Sequence, residues 1–421
     1  MNLIVSLLLM VVPAGEVAAG MGLEECIRTG FARNTGYRQN GIEAENLKKE
    51  LSTATLAMIP TVTATLDNEL KWHNGFPPFS DLSTVGVSGR ITVFKGLSLQ
   101  NERARAKTEY KLAPVYLKGK RQALASSIIE AYIRILLDKE ALNLAQSNCS
   151  TSLLERDKTQ LLVKGGAQPA SALAQMEAQL AGDRASVTEA ECRIRTDKLE
   201  LLQLLDLPYD PEFEILPLDD GSEAPPLSLE KEEIKSAAAS NPETIYSEGL
   251  IRSSRFALRA AIGAATPEIF LSGNYSATVG AKSMRNVSYL GFGISIPILS
   301  SGQTYSRIKN ARLNLKAAEL QAYTAARKVE AEIERLVAEA ENSYSKLLAS
   351  RTNVSSLERL LEINRAKYEK GASSVLDYTI AKNNLVKAEA ELLEAKWQYI
   401  FQRKVLELYL DGKLLEYDEK N

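Results

Sequence analysis

The chain has 421 residues, 45% of them apolar and 25% charged, which is the composition of an ordered protein and too long for one compact core. Its 51 Lys and Arg stand against 53 Asp and Glu, a net charge of −2, so no basic surface is available for a run of phosphates and nucleic-acid binding is not expected. One histidine, His73, and three scattered cysteines, Cys26, Cys149 and Cys192, leave little for a zinc site, a Ser/His/Asp triad or a disulfide framework.

The chain opens on the apolar run Leu3 to Val12, then Pro13, then Val17-Ala18-Ala19-Gly20. At about ten residues the run is too short to cross a bilayer and suits the core of a signal peptide, expected over residues 1–19. The alternative is a buried N-terminal piece, since no Lys or Arg precedes the run. Cys26 follows Leu23-Glu-Glu, which does not resemble a lipobox, so no lipid anchor is expected there. No later stretch approaches about 18 apolar residues, and no transmembrane helix is predicted.

The rest matches itself at an offset of about 206 residues. Ile27, Ala32 and Asn34 align with Ile234, Ala239 and Asn241; Pro60 aligns with Pro267; Leu162-Val-Lys-Gly165 aligns with Tyr368-Glu-Lys-Gly371; and Leu204 aligns with Leu410. Repeat 1 is assigned to 20–207 and repeat 2 to 229–412, with a proline- and acid-rich linker over 208–228 and a tail over 413–421. Each repeat reads as helix, β-hairpin, very long helix, tight turn, helix.

The first hairpin spans 61–94. Val62, Ala64, Leu66 and Leu70 alternate with polar residues, then a loop holds His73, then Val85, Val87, Ile91 and Val93 alternate with small and polar ones. In the second, 268–299, Ile269, Leu271, Tyr275, Ala277 and Val279 alternate with Ser, Asn and Thr, as do Leu290, Phe292, Ile294, Ile296 and Ile298 with mostly small residues. This is the period of strands with one apolar and one polar face. At about 10 to 13 residues they suit a tilted crossing of a membrane barrel. Trp72, Phe76, Phe79 and Tyr289 are candidates for an aromatic girdle. His73, alone in its loop, reads as a surface residue, because a metal site needs several convergent ligands.

The helical parts carry heptads. Leu173, Met176, Leu180, Val187, Ala190, Ile194, Leu201 and Leu204 follow a 3,4 spacing, as do Leu385, Ala388, Leu392, Ala395, Tyr399, Leu406 and Tyr409. The predicted long helices, 101–163 and 304–369, would each extend about 95 Å, more than a compact domain holds. Four strands cannot close a barrel, which takes about eight, and an open edge in hydrocarbon leaves amides unsatisfied. Several chains must therefore combine; three give twelve strands and an open lumen.

The repeat, the strand-to-helix segment Leu290 to Gly302 and the turn segment Tyr368 to Ala381 together resemble the TolC family of outer-membrane efflux proteins over nearly the whole chain. The resemblance implies a fold that is mainly α with membrane β: long coiled-coil-like helices forming an α-barrel, and four strands per chain in a trimeric twelve-stranded β-barrel. It also implies a homotrimer set in outer-membrane lipid and reaching into the periplasm. A periplasmic adaptor protein and an inner-membrane pump or ABC exporter are the implied partners. The chain would serve a tripartite efflux or type I secretion system as a passive exit duct, with no catalytic, cofactor or metal site. The other reading, from a different class, is a periplasmic adaptor or coiled-coil scaffold.

The turns at 164–168 and 370–373 carry the candidate sites. A glycine between two heptad helices supplies the positive φ that lets the chain reverse, and Gly165 and Gly371 stand at those points. The resemblance makes Lys164, Gly165 and Gly166, and Lys370, Gly371 and Ala372, the adaptor-contacting tips. It matches Asp377 to the family's pore-facing aspartate, Ile380 to a second acidic position, Ser373 to the tip arginine of some members, and Ser171 to the aspartate position of the first repeat. Without those partners, a closed tip is expected to lean on packing more than on an ion-pair lock. Asp377 has a second reading, because Ser374-Val-Leu-Asp377 also fits a capping-box-like helix start, with the acid favoured by the helix dipole.

Overall fold

The computed structural model describes residues 20–71, 80–218, 225–226, 229–280, 283–298, 302–370 and 372–410. The expected signal peptide, the loop holding Trp72, His73, Phe76 and Phe79, the centre of the linker, Gly371 and the tail lie outside them. The fold class is the one expected, long helices with four antiparallel strands. In chain order the elements are α1 (Leu23–Arg33), α2 (Thr35–Leu56), β1 (Thr61–Lys71), β2 (Ser80–Phe94), α3 (Ser98–Lys164), α4 (Ala170–Leu205), α5 (Lys231–Ser240), α6 (Pro242–Gly263), β3 (Glu268–Gly280), β4 (Ser283–Ser295), α7 (Gln303–Glu369) and α8 (Val375–Leu410).

The repeat is visible in the lengths: 22 residues in both α2 and α6, 67 in α3 and α7, and 36 in α4 and α8. Two short helices, α1 and α5, were not expected as separate elements. Each ends at an asparagine with non-helical ψ, Asn34 at 117° and Asn241 at 137°. Asn241 then caps α6, accepting from the Glu243 N–H at 2.9 Å, and Pro242 supplies a pre-set first helical residue.

Two compact units cut across the repeats, each drawing on both. One comprises Gly36–Lys120 and Glu230–Ile333 and contains the sheet; the other comprises the described residues of Met1–Thr35, Arg121–Leu229 and Glu334–Asn421.

In the first unit the strands form one sheet in the order β1-β2-β3-β4, all antiparallel, with β1 and β4 as unpaired edges. Register fixes the faces, because residues directly opposite project to the same side. Ala64, Val87 and Tyr275 share one face, as do Leu66, Val85 and Ala277, and Leu271 and Phe292. The other face carries Thr63, Thr65, Gly86, Ser88, Ser276 and Asn274. Tyr289, opposite Asn274 in mid-strand, therefore sits on the polar face and is not part of a girdle at a strand end. Among the described residues the apolar face is left uncovered, with Leu290 78% and Phe292 80% exposed.

The sheet joins its helices through a close backbone contact. Gly96 and Leu97, at φ +53° and +60°, turn the chain from β2 into α3, and Gly302 at +77° holds the matching place before α7. A Cβ on Gly263 would stand 2.3 Å from the Gly96 carbonyl oxygen, so only glycine lets the end of α6 pass the start of α3.

The second unit has the main core. Ile128, Ile129, Tyr132 and Ile135 of α3 pack with Ile27 of α1, Leu201 and Leu205 of α4, Phe213, Ile215 and Trp397. The Tyr132 hydroxyl donates to the Leu216 carbonyl at 2.6 Å, beside a parallel bridge between Met21 and Ile215. Cys26 is wholly buried in this core, where desolvation pushes its thiol up to about 12. It is a packing residue of this core. The heptad positions face inward as expected, with Met176, Leu180, Leu201, Leu385, Tyr399 and Leu406 all buried.

Candidate functional site

The turn between α3 and α4 is built by backbone hydrogen bonds. Ala167 N–H reaches the Leu162 carbonyl at 2.8 Å and Gly166 N–H the Val163 carbonyl at 3.0 Å. This is a Schellman cap whose left-handed residue is Gly166, at φ +76°. The expectation placed that role on Gly165, one residue too early. Between α7 and α8 the Ala372 N–H reaches the Lys367 carbonyl at 2.8 Å, the same six-to-one bond. Lys164, Gly165, Gly166, Lys370 and Ala372 are all exposed, as a contact surface requires.

The element bounds also correct the repeat register. α4 starts at Ala170 and α8 at Val375, so the residue matching Asp377 is the buried Ala172, while Ser171 is exposed in the first turn of α4. Asp377 itself closes a capping box. Its Oδ2 accepts from the Ser374 N–H at 3.2 Å and from the Ser374 and Ser373 hydroxyls at 2.7 and 3.2 Å, and its N–H donates to Ser374 Oγ at 3.1 Å. Those donors, the Ser374 hydroxyl first, hold its carboxyl below the usual carboxylate range. The helix-start reading of Asp377 thus has its geometry in the structure. Ser373 serves that cap, and Ile380 is half exposed one turn further on.

Two turns into α8 lies a cluster the sequence analysis missed. Lys382 is 4% exposed, and its Nζ lies 2.5 Å from Ser152 Oγ, and 3.8 Å from both Glu155 Oε2 and Asp183 Oδ2. Ser152 hydrogen-bonds Asp183, Gln179 donates to the other Asp183 oxygen at 2.9 Å, and the Tyr378 hydroxyl bonds Glu155. The Tyr368 ring stacks on Tyr378 at 5.6 Å. Burial pushes Glu155 above the usual carboxylate range, with Lys382, Arg365 and Lys158 opposing and Asp183 adding to the rise. One lysine thereby ties α8 to α3 and α4, next to a small apolar cluster of Ala172, Met176, Val375 and Tyr378. Packing is not the only link between the two hairpins. An exposed heptad lysine and a buried one look alike in sequence, and no signal there marks Lys382.

Among the described residues no group of three or more metal-binding side chains occurs, and no helix is long and apolar enough to cross a membrane.

Residues 234–410 match the family described as "Outer membrane efflux protein". The chain is 21% identical over 386 residues to the outer membrane efflux protein BepC of Brucella suis biovar 1 (strain 1330), covering 91% of this chain and 83% of that one. It is 23% identical over 390 residues to nodulation protein T of Rhizobium leguminosarum bv. viciae, with 89% and 78% covered. Among solved structures it is similar to CusC, with a TM-score of 0.81 at 16% identity over 92% of this chain and 91% of that one. It is also similar to the open state of the Neisseria gonorrhoeae MtrE outer membrane channel, at 0.77 and 21% identity over 93% and 89%.

Proposed function

We propose that the chain is an outer membrane efflux protein, a TolC-like channel of the outer membrane, and that three copies form one continuous exit duct. The match of residues 234–410 to that family and the likeness to BepC support the reading. The observation that carries this reading is the open, two-faced sheet. It has two unpaired edges, a bare apolar side and a polar side, so it is incomplete in one chain and complete when three copies close a twelve-stranded barrel with lipid outside and water inside. The helices then continue the lumen into the periplasm. Conduction is passive, with no chemistry on the transported compound; energy and selection come from an inner-membrane pump or ABC exporter, joined through an adaptor that docks at the turns around Gly166 and Lys370. A single shared sheet with two hairpins favours this over an adaptor or scaffold.

Light scattering of the detergent-solubilised protein should give a protein mass of about 130 to 140 kDa, three chains of 46.2 kDa less any leader. A stable monomer with the strands intact would overturn the reading.

At the tip, Asp377 is exposed and, repeated by symmetry, supplies an acidic ring attractive to cations. Asp377→Asn keeps an oxygen acceptor for the Ser374 N–H but removes the charge. Single-channel recordings of the variant should show weaker block by divalent cations, with the melting temperature at neutral pH little changed. The wild-type cap is present above the ordinary carboxylate range and is lost as pH falls through the depressed value of Asp377. Unaltered block with a fall in melting temperature would leave Asp377 as a helix-start residue alone.

A further inference from the structure

The α3–α4 hairpin carries a buried pair of like charges for which the duct reading has no use. Across the hairpin Arg134 Nη1 meets Glu200 Oε2 at 2.9 Å, and Ser152 bonds Asp183. Each step up α3 is thus matched by one step back along α4, and that pairing sets Asp138 against Asp197. The pairing puts the two carboxyls face to face, close enough for the Asp138 charge to act on Asp197. Asp138 is 7% exposed and Asp197 8%, and Asp197 Oδ2 has no partner among the described residues.

The charges around the pair are committed elsewhere. On α3, Arg134 also bridges Glu130 at 2.8 Å, and Lys139 bridges Glu214 at 2.5 Å. On α4, Arg193 bridges Glu189 at 2.6 Å and Lys198 bridges Glu214 at 2.7 Å. From α8, Glu394 lines the same cavity as Asp138, Asp183, Glu189 and Arg193, and adds negative charge. Arg134 and Arg193 favour the ionised form of Asp197, but burial and the Asp138 charge outweigh them and push its carboxyl up to about 6 from 3.8.

The second repeat is an internal control. α3 and α7 begin at Ser98 and Gln303, and α4 and α8 at Ala170 and Val375, so Ser343 matches Asp138 and Gln402 matches Asp197. Ser343 and Gln402 are also buried, 4% and 3% exposed, and their side chains hydrogen-bond at 2.6 Å. Gln402 donates in addition to Glu339 at 3.2 Å. A buried polar pair is therefore common to both hairpins, uncharged and hydrogen-bonded in one and doubly acidic in the other.

We propose that Asp138 and Asp197 hold one shared proton and act as a pH-sensitive clasp on the α3–α4 hairpin, closed in acid and loosened when the proton leaves. In the closed form one carboxylic acid donates O–H to the other's carboxylate. On opening, the proton passes to water in the adjoining cavity, and two desolvated carboxylates remain in contact and repel. The sign follows from the raised value. The clasp contributes fully below the ordinary carboxylate range and is lost as pH rises through about 6.

The test uses the full chain in detergent, as wild type and as Asp138→Ser/Asp197→Gln, which transplants the pair of the second repeat. Infrared difference spectra of the wild type should show a protonated-carboxyl stretch that disappears with a midpoint near pH 6, absent from the double variant. Amide exchange around 138 and 197, corrected for intrinsic rate, should be several-fold slower at pH 5 than at pH 7.5 in the wild type and level in the variant. A wild type without a carboxyl band titrating above pH 5 would overturn the proposal, and so would a variant with the wild-type pH response in exchange. Should the variant fail to assemble, the wild-type infrared titration decides alone.

Discussion

Lys382→Met is expected to separate the two hairpins near their turns and to give the duct longer or more frequent openings in bilayer recordings. The lysine is nearly buried and is the cation facing both Glu155 and Asp183 at 3.8 Å, while it also donates to Ser152. Methionine matches its length and keeps the aliphatic contacts, so what is lost is charge and hydrogen bonding. Removing one partner of a buried ion pair costs about 3 to 5 kcal/mol. Glu155 and Asp183 keep 20% and 16% of their side-chain surface, and that water contact lowers the expected loss to about 2 to 4 kcal/mol. The loss should be local. Amide exchange should rise around Ser152 on α3, Asp183 on α4 and Thr379 on α8, and remain unchanged around Ile128 in the main core. Glu155→Gln in the same chain should recover part of it, since a neutral amide needs no counter-charge and still accepts from Tyr378. Unchanged exchange and unchanged openings in Lys382→Met would show that the hairpins are held without the lysine, by the apolar cluster and the remaining hydrogen bonds such as Tyr378 to Glu155.

That cluster marks where the sequence stopped being informative. The strands were legible because a two-residue period over a long run has no helical counterpart, and each hairpin had its own proline before it, Pro60 and Pro267. The long helices were legible by their length between strand and turn; α7 contains neither proline nor glycine, and Pro114, in the fifth turn of α3, does not end that helix. The one-residue error at the turns has a definite source. α2 and α6 start 207 residues apart, but α3 and α7 start 205 apart. A single offset of about 206 averages the two and misplaces both Gly166 and the partner of Asp377. The breaks after α1 and α5 carried a usable signal, asparagine as helix cap with Pro242 at the first helical position. Lys382 and the Asp138–Asp197 pair carried none, because burial of a charged heptad residue is decided by which helix lies opposite, and those partners are far away in the chain.

On the sheet, Leu290→Arg is expected to impair membrane insertion by about 2 to 4 kcal/mol, the cost of a cation at mid-depth on the lipid face of a barrel. Leu290 is opposite Gly273, near the middle of both β3 and β4, and is 78% exposed on the apolar side. Ile294 shares that face, but it is opposite Ile269, next to the ends of both strands. The penalty falls towards about 0 to 1 kcal/mol at the membrane boundary, so Ile294→Arg should be the milder variant. Ser276 is as deep as Leu290 on the opposite face, between Gly86 and Val287. Ser276→Arg projects into water if the barrel closes with its polar side inward, and it should insert and assemble like the wild type while altering ion selectivity. The measurement is the heat-resistant trimer fraction recovered from outer membranes, with urea titration of folded protein in vesicles for the magnitudes. Equal damage from Leu290→Arg and Ser276→Arg would mean that both faces are packed against protein and that the sheet does not line a channel. Greater damage from Ser276→Arg would place lipid on the wrong side of the register.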